Sequence, residues 1–323
     1  MKNSSSFMLF FTFMIMGIMI SISSNNWLGC WMGIEINLVS FLPIMMNKVS
    51  IYSSESMIKY FIIQSMGSSL LFISIVFMIL YNVNYLMMIS LLIKMGCPPF
   101  HLWFPSVMEG LSWYNCFILM TIQKLTPIIL ISYLNMNFTL FIIMSCLWGS
   151  LGGLGYSSLR KVVAYSSIYN LGWIISGIYM VNYCWLIYYV IYSLTLMMVC
   201  YSFYIFGINY LNQFFLSSLS YMKMLFMMII FLSMGGMPPF MGFMPSMIMI
   251  YCLVINENFF CCFILLMSAL LVMFFYLRVV FSGLLINSMS IIYMNNSFDG
   301  LFFVFSIISL LGLMIISMIM IYF

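Results

Sequence analysis

Residues 95–106 read MGCPPFHLWFPS and residues 235–246 read GGMPPFMGFMPS, and together they set the architecture of the chain. They agree at Gly96/Gly236, Pro98/Pro238, Pro99/Pro239, Phe100/Phe240, Pro105/Pro245 and Ser106/Ser246. Each stretch lies within a long apolar run, near 84–106 and 221–255. A proline pair there removes backbone donors and opens the helix, leaving carbonyls that need polar partners inside the protein. By the count of crossings below, the copies are an odd number of spans apart, so they run in opposite directions and form an inverted repeat. Carriers use broken helices related in this way to build mid-membrane ion sites. The plainer reading is that each Pro pair only kinks a packed helix.

Outward from these stretches the chain is almost continuously apolar. It is 66% hydrophobic and only 4% charged, with a mean hydropathy of +1.21, which excludes a soluble core and predicts an all-α polytopic membrane protein. Apolar runs near 7–24, 26–46, 56–80, 84–106, 113–134, 138–156, 161–181, 183–207, 221–255, 259–281 and 300–322 predict about eleven transmembrane helices. The ninth would be about 50 Å long in a core of about 30 Å, so it must be broken, and Pro238 and Pro239 supply the break. With eleven spans, Lys2, Lys48, Lys59, Arg160, Lys161, Lys223 and Arg278 all fall on the N-terminal side, and the opposite loops carry only Glu257. The N-terminus is therefore expected inside and the C-terminus outside.

The net charge of +4 comes from scattered loop cations, with no basic stripe for nucleic acid. Nine cysteines lie mostly in apolar runs without C-x-x-C spacing, so no metal site is expected and even Cys261 and Cys262 read as packing residues. Gly149, Gly152, Gly153 and Gly155 lack the preceding strand of a phosphate loop and read as close helix packing. Two alanines against 38 methionines are a composition that helix propensity does not explain. An AT-rich genome and a code reading ATA as methionine would produce it. Residues 1–6 are neither Arg-rich nor amphipathic, so synthesis inside an organelle is expected.

Charges within the spans are the functional signal, since each costs on the order of 3 kcal/mol at bilayer depth. Glu35 lies about ten residues below Asn25 and Asn26, and Lys94 ten below Asn84, so both sit about 15 Å deep from the same side. Lys124, eleven residues before Asn135 on a helix of opposite direction, reaches about 17 Å. Pro127 cannot bond the carbonyl of Gln123, which leaves a polar backbone atom beside Lys124. Pairing favours the charged forms of a buried Glu and Lys, so moving Glu35 changes the proton affinity of Lys94. A proton can then pass sideways to Lys124 through groups near Gln123, Pro98 and His101. Against this stand a static buried ion pair and, for His101 among Phe100, Trp103 and Phe104, a satisfied interfacial histidine.

NNWLGCWMGIEINLVSFLP (25–43), KMGCPPFHLWFPSVMEG (94–110), QKLTP (123–127), SLRKVVAYSSIYNLGW (158–173) and GGMPPFMGFMPS (235–246) resemble a known family. It is the antiporter-like membrane subunits of NADH dehydrogenase, respiratory complex I, in their mitochondrially encoded invertebrate subunit 2 type. The resemblance implies one antiporter-like domain over 1–323, with inverted halves at roughly 1–134 and 138–281 and a final helix at 300–322. It implies proton translocation in the mitochondrial inner membrane, with the N-terminus in the matrix and the C-terminus in the intermembrane space. Glu35 and Lys94 would be the coupled ion pair and Lys124 the central relay lysine. The implied neighbours are subunits 4L and 4, accessory subunits, and phospholipids including cardiolipin. Flavin, iron-sulfur clusters and ubiquinone would belong to other subunits, and no cofactor is expected in this chain.

Two positions depart from the family pattern. Ser246 stands where a lysine usually follows Gly-Phe-x-Pro, and Asn170 stands where the family often has histidine before Leu-Gly-Trp. Transfer beyond Lys124 is then expected to use Asn170, tyrosines and water, or not to pass through the second half at all. A membrane scaffold that pumps little and a stand-alone cation/proton antiporter remain as alternatives; sodium or potassium flux through the isolated chain would select the latter.

Overall fold

A computed structural model describes residues 4–46, 51–78, 83–134, 136–180, 183–213, 221–287, 300–310 and 312. Lys2, Lys48, Asn135 and the end of the run at 300–322 lie outside these residues, as do the side chains of residues 221–224 and 282–287. The protein is an all-α polytopic membrane protein whose chain forms two compact units, Met1–Phe141 and Ile142–Phe323. Among the described residues, six helices are long and apolar enough to cross a membrane, and four shorter apolar helices accompany them.

The first unit contains α1 (Ser4–Ser23), α2 (Trp27–Met45), α3 (Ile51–Phe77), α4 (Asn84–Met95), α5 (Trp103–Gly110), α6 (Trp113–Met120) and α7 (Ile122–Ser132). α1 and α2 touch backbone to backbone at Gly17 and Gly33, where an added Cβ on Gly33 would lie 2.6 Å from the Gly17 carbonyl oxygen. Small residues at such contacts let membrane helices approach without a hydrophobic drive between them. α3 is turned inside out relative to a helix of a soluble protein. It buries Ser53, Ser56, Tyr60, Gln64, Gly67 and Ser74 at helical spacing and presents Ile58, Phe61, Ile62, Met66, Phe72 and Ile73 outward. Buried serines avoid unpaired hydroxyls by donating to their own helix, as Ser74 does to the Leu71 carbonyl at 2.6 Å and Ser90 to that of Met87 at 2.7 Å.

Helix boundaries differ from the apolar runs in three informative places. α3 starts at Ile51, ahead of the run at 56–80, so Glu55 joins the helix and pairs with Lys59 at 2.6 Å on an exposed face, an interaction of little energetic weight. The run 113–134, read as continuous, divides at Thr121, whose backbone (φ −114°, ψ −84°) leaves the helix. The Thr121 hydroxyl donates to the Phe117 carbonyl at 2.7 Å, competing for helical backbone, and Pro127 withdraws a donor further along the same run. The third difference lies in the second unit, where the helix expected over 259–281 continues to Asn287. Arg278, on this helix, donates to the carbonyls of Leu154 at 2.6 Å and Tyr156 at 2.9 Å.

The second unit contains most of α8 (Thr139–Gly152), then α9 (Leu159–Tyr179), α10 (Cys184–Phe206), α11 (Tyr221–Met234), α12 (Phe243–Ile255), α13 (Phe259–Asn287) and α14 (Gly300–Leu310). α9 is its central helix, buried along nearly its whole length, which is why it tolerates Ser166, Ser167 and Asn170. The glycines of α8 serve packing: a Cβ on Gly149 would lie 2.9 Å from that of Tyr169, and one on Gly152 would strike the Tyr165 ring.

Candidate functional site

α4 ends at a break built by its own sequence. Gly96 takes φ +70°, a conformation open to glycine, and donates to the Ile93 carbonyl at 3.1 Å while Cys97 donates to that of Leu92 at 3.0 Å. This paired closure satisfies carbonyls that Pro98 and Pro99, lacking N–H groups, could not reach. A turn follows, with Phe100 donating to the Cys97 carbonyl at 2.9 Å and Phe104 to that of His101 at 3.0 Å, and α5 begins at Trp103.

Lys94 occupies the last turn of α4, directly before the break, where the helix C-terminus favours a cation. Its side chain is 5% exposed and its Nζ makes no hydrogen bond. Its stem runs over Gly67, where an added Cβ would lie 2.9 Å from Lys94 Cγ, and Gln64 Nε2 donates to the Lys94 carbonyl at 3.0 Å. Glu35 on α2 is half-buried and within electrostatic reach of both Lys94 and Tyr60, but makes no direct ion pair with Lys94. The two charges are thus neighbours in the same unit with a gap between them.

Lys124 lies in the first turn of α7, immediately after the Thr121 break, and is buried. Its Nζ sits 4.4 Å from the centroid of the Phe104 ring, with Cys97 within electrostatic reach. Both lysines therefore border the Pro98–Pro99 break, Lys94 preceding it along the chain and Lys124 facing it across the α4 and α7 contact. His101 is buried within the break, its ring interacting with the Pro99 carbonyl.

A side-chain network that sequence reading missed links α2, α3 and α7. Tyr60 donates its hydroxyl to Gln123 Oε1 at 3.2 Å, and Gln123 Nε2 donates to Asn37 Oδ1 at 2.9 Å. Gln123 is thus tied to the Glu35 helix on one side and stands next to Lys124 on the other. The signal for Tyr60 and Gln64 was present in the sequence as the polar stripe of α3.

The second unit repeats the backbone break. Gly236 also takes φ +70° and donates to the Ser233 carbonyl at 3.2 Å, Met237 donates to that of Leu232 at 3.4 Å, and Phe240 to that of Met237 at 2.9 Å. Ser246 is half-buried and donates to the Phe243 carbonyl at 2.7 Å, as Ser106 donates to that of Trp103 at 2.7 Å. The interior of this unit is polar without being charged. Asn170 accepts a hydrogen bond from the Tyr188 hydroxyl at 2.8 Å, and Tyr188 stacks on Trp173. Tyr192, Tyr276, Ser166, Ser167 and Ser268 are buried too. Among the described residues the unit buries no Lys, Asp, Glu or His. Met234 and Met241 stand where the first copy has Lys94 and His101.

The model of the family "NADH:quinone oxidoreductase/Mrp antiporter, TM" matches residues 24–84 and 82–272. NADH-ubiquinone oxidoreductase chain 2 of Anopheles gambiae is 42% identical over 96% of this chain and 97% of its own length. The Locusta migratoria protein of the same name is 38% identical over 88% and 87%. In fold alone, a chain of respiratory complex I from Thermus thermophilus with bound aureothin superposes with a TM-score of 0.83 at 16% identity, over 97% of this chain and 79% of that one. A chain of the Mrp complex from Dietzia does so with a TM-score of 0.78 at 13% identity, over 93% and 73%.

Proposed function

Because the chain belongs to the NADH:quinone oxidoreductase/Mrp antiporter family, we propose that it translocates protons in the membrane arm of mitochondrial NADH:ubiquinone oxidoreductase. It is a multi-pass core subunit of the inner membrane, and the redox chemistry that drives it, with its flavin, iron-sulfur clusters and ubiquinone, resides in other subunits. Subunits 4L and 4, accessory subunits and phospholipids including cardiolipin are its neighbours. The loop charges orient the N-terminus to the matrix and the C-terminus to the intermembrane space.

The single observation that carries the mechanism is the Lys94 ammonium, buried without a hydrogen-bond partner beside a carboxylate it does not touch. An unpartnered cation at this depth adds nothing to stability, so its place follows from its chemistry. When Glu35 approaches, Lys94 holds its proton; when Glu35 withdraws, the proton leaves for Lys124 across the residues of the break. Gln123, tied to Tyr60 and Asn37, fixes the backbone from which Lys124 projects, and His101 offers a second proton acceptor in the break. The test is Glu35→Gln in the assembled complex, which keeps the shape and removes the charge. Quinone-linked turnover and proton uptake are expected to fall together. Wild-type turnover with a wild-type proton-to-electron ratio would overturn the role given to Glu35.

One observation favours a second reading for residues 142–323. With no buried Lys, Asp, Glu or His among its described residues, that unit conducts only through hydroxyls, Asn170 and water, or serves as scaffold while protons move within the first unit.

A further inference from the structure

Cys184 and Cys252, 68 residues apart in sequence, bring their sulfur atoms to 3.3 Å. Cys184 opens α10 directly after the exposed Tyr183, and Cys252 lies in the last turn of α12, three residues before the helix ends at Ile255. Polar residues surround this end of both helices. Asn256 donates its amide to the Cys252 carbonyl at 3.0 Å, exposed Glu257 follows, and Asn258 Nδ2 lies 3.6 Å from Met180 Sδ. The pair therefore sits where the helices leave the apolar layer. Cys184 is partly exposed and Cys252 buried, so Cys184 is the more accessible of the two residues to a small oxidant.

Cys261 and Cys262 are adjacent in sequence and stand on one helix, and Cys97, Cys116, Cys146 and Cys200 are buried within the units. A disulfide needs sulfurs about 2.0 Å apart, so closing the pair takes a shift of little more than 1 Å at two side chains near helix ends.

We propose that Cys184 and Cys252 form a reversible redox site at the outer membrane face of the second unit, closed by hydrogen peroxide and reopened by thiols. The Cys184 thiolate attacks one peroxide oxygen, the O–O bond breaks, and a sulfenic acid and one water result once the leaving hydroxide takes up the thiol proton. The Cys252 sulfur then attacks the Cys184 sulfur, the S–O bond breaks, and a second water leaves with the Cys252 proton. Two thiols are oxidised to one disulfide and one peroxide is reduced to two waters. A dithiol such as dithiothreitol reverses the closure by exchange. The closed form staples α12, the segment following the second helix break, to the start of α10. The outer-face assignment rests on the orientation proposed above, while the pairing itself does not.

The experiment uses mitochondrial membranes holding the assembled complex. They are treated with hydrogen peroxide, free thiols are blocked with N-ethylmaleimide in denaturant, and the chain is digested without reduction and read by mass spectrometry. Maleimide label is expected to be lost together from Cys184 and Cys252, a peptide joining them is expected to appear, and dithiothreitol before blocking is expected to restore both labels. Cys116, Cys146 and Cys200 are expected to keep theirs. Retention of label at both positions, or oxidation of Cys184 to a sulfinic acid with no joined peptide, would overturn the proposal. Peroxide crosses membranes, so this outcome is independent of orientation. Repeating the treatment with a membrane-impermeant oxidant on right-side-out and inverted vesicles tests the face separately.

Discussion

The two Pro-Pro breaks share a backbone and differ in chemistry. Each ends a helix on a glycine at φ +70°, closes it with the same pair of hydrogen bonds, turns through the same phenylalanine contact and seats a serine on its own carbonyl three residues back. The first carries Lys94 and His101, whereas the second carries Met234 and Met241 in their places. The break is thus a structural device that makes room for a charge and offers it a helix end, and it persists where no charge is held. A broken membrane helix is accordingly not sufficient to diagnose a conducting half, and the diagnosis rests on what borders the break.

The sharpest way to break this comparison is Lys94→Met, which gives the first copy the residue of the second. Activity of the assembled complex is expected to fall at least about 10-fold, toward the roughly 10²–10⁴ that loss of a proton-transfer group costs. Met234→Leu, measured by the same NADH:ubiquinone assay, should leave turnover near wild type; equal losses at both positions would erase the distinction. Next in size is Gly67→Ala, whose methyl displaces the Lys94 stem. A displacement near 1 Å can cost on the order of 10²-fold, so turnover should drop several-fold while native gels show unchanged assembly.

A smaller effect separates the two glycines. Gly96→Ala and Gly236→Ala each place a side chain at positive φ, costing about 1–2 kcal/mol. The first also brings Cβ to 3.2 Å from that of Phe104, whereas the second meets only ordinary backbone contact at 3.7 Å. Thermal stability of the complex should therefore fall further for Gly96→Ala. The smallest effect is expected from Tyr60→Phe, which removes the bond to Gln123 at about 1 kcal/mol. A turnover loss confined to a few-fold, larger than that of Tyr188→Phe in the second unit, would place Tyr60 in the support of Lys124.

The sequence disclosed the apolar runs, the two breaks and the three mid-span charges because each contrasts with its surroundings: a proline pair or a lysine has few bland explanations inside a lipid-spanning segment. The break at Thr121 was hidden because threonine is common in such helices, and only its backbone angles show that it leaves the helical path. The fit of Lys94 over Gly67 and the bridge from Tyr60 through Gln123 to Asn37 join residues on different helices, and no periodicity within one helix specifies which partner it meets. The nearness of Cys184 to Cys252 was hidden for the same reason. Glu35 and Lys94 illustrate the limit of depth arithmetic: it put them in one layer, while the gap between them depends on how α2, α3 and α4 pack.

The central claim is that charge in the first unit moves protons, and the most direct measurement is the proton-to-electron ratio of the assembled complex carrying Lys124→Met, in sealed vesicles oxidising NADH. Methionine keeps most of the apolar stem while removing the proton site and the ammonium that lies over the Phe104 ring. The account predicts fewer protons translocated per electron pair, with the loss persisting at any rate of quinone reduction that remains. An unchanged ratio at undiminished turnover would contradict it and leave this chain a scaffold for pumping elsewhere in the complex.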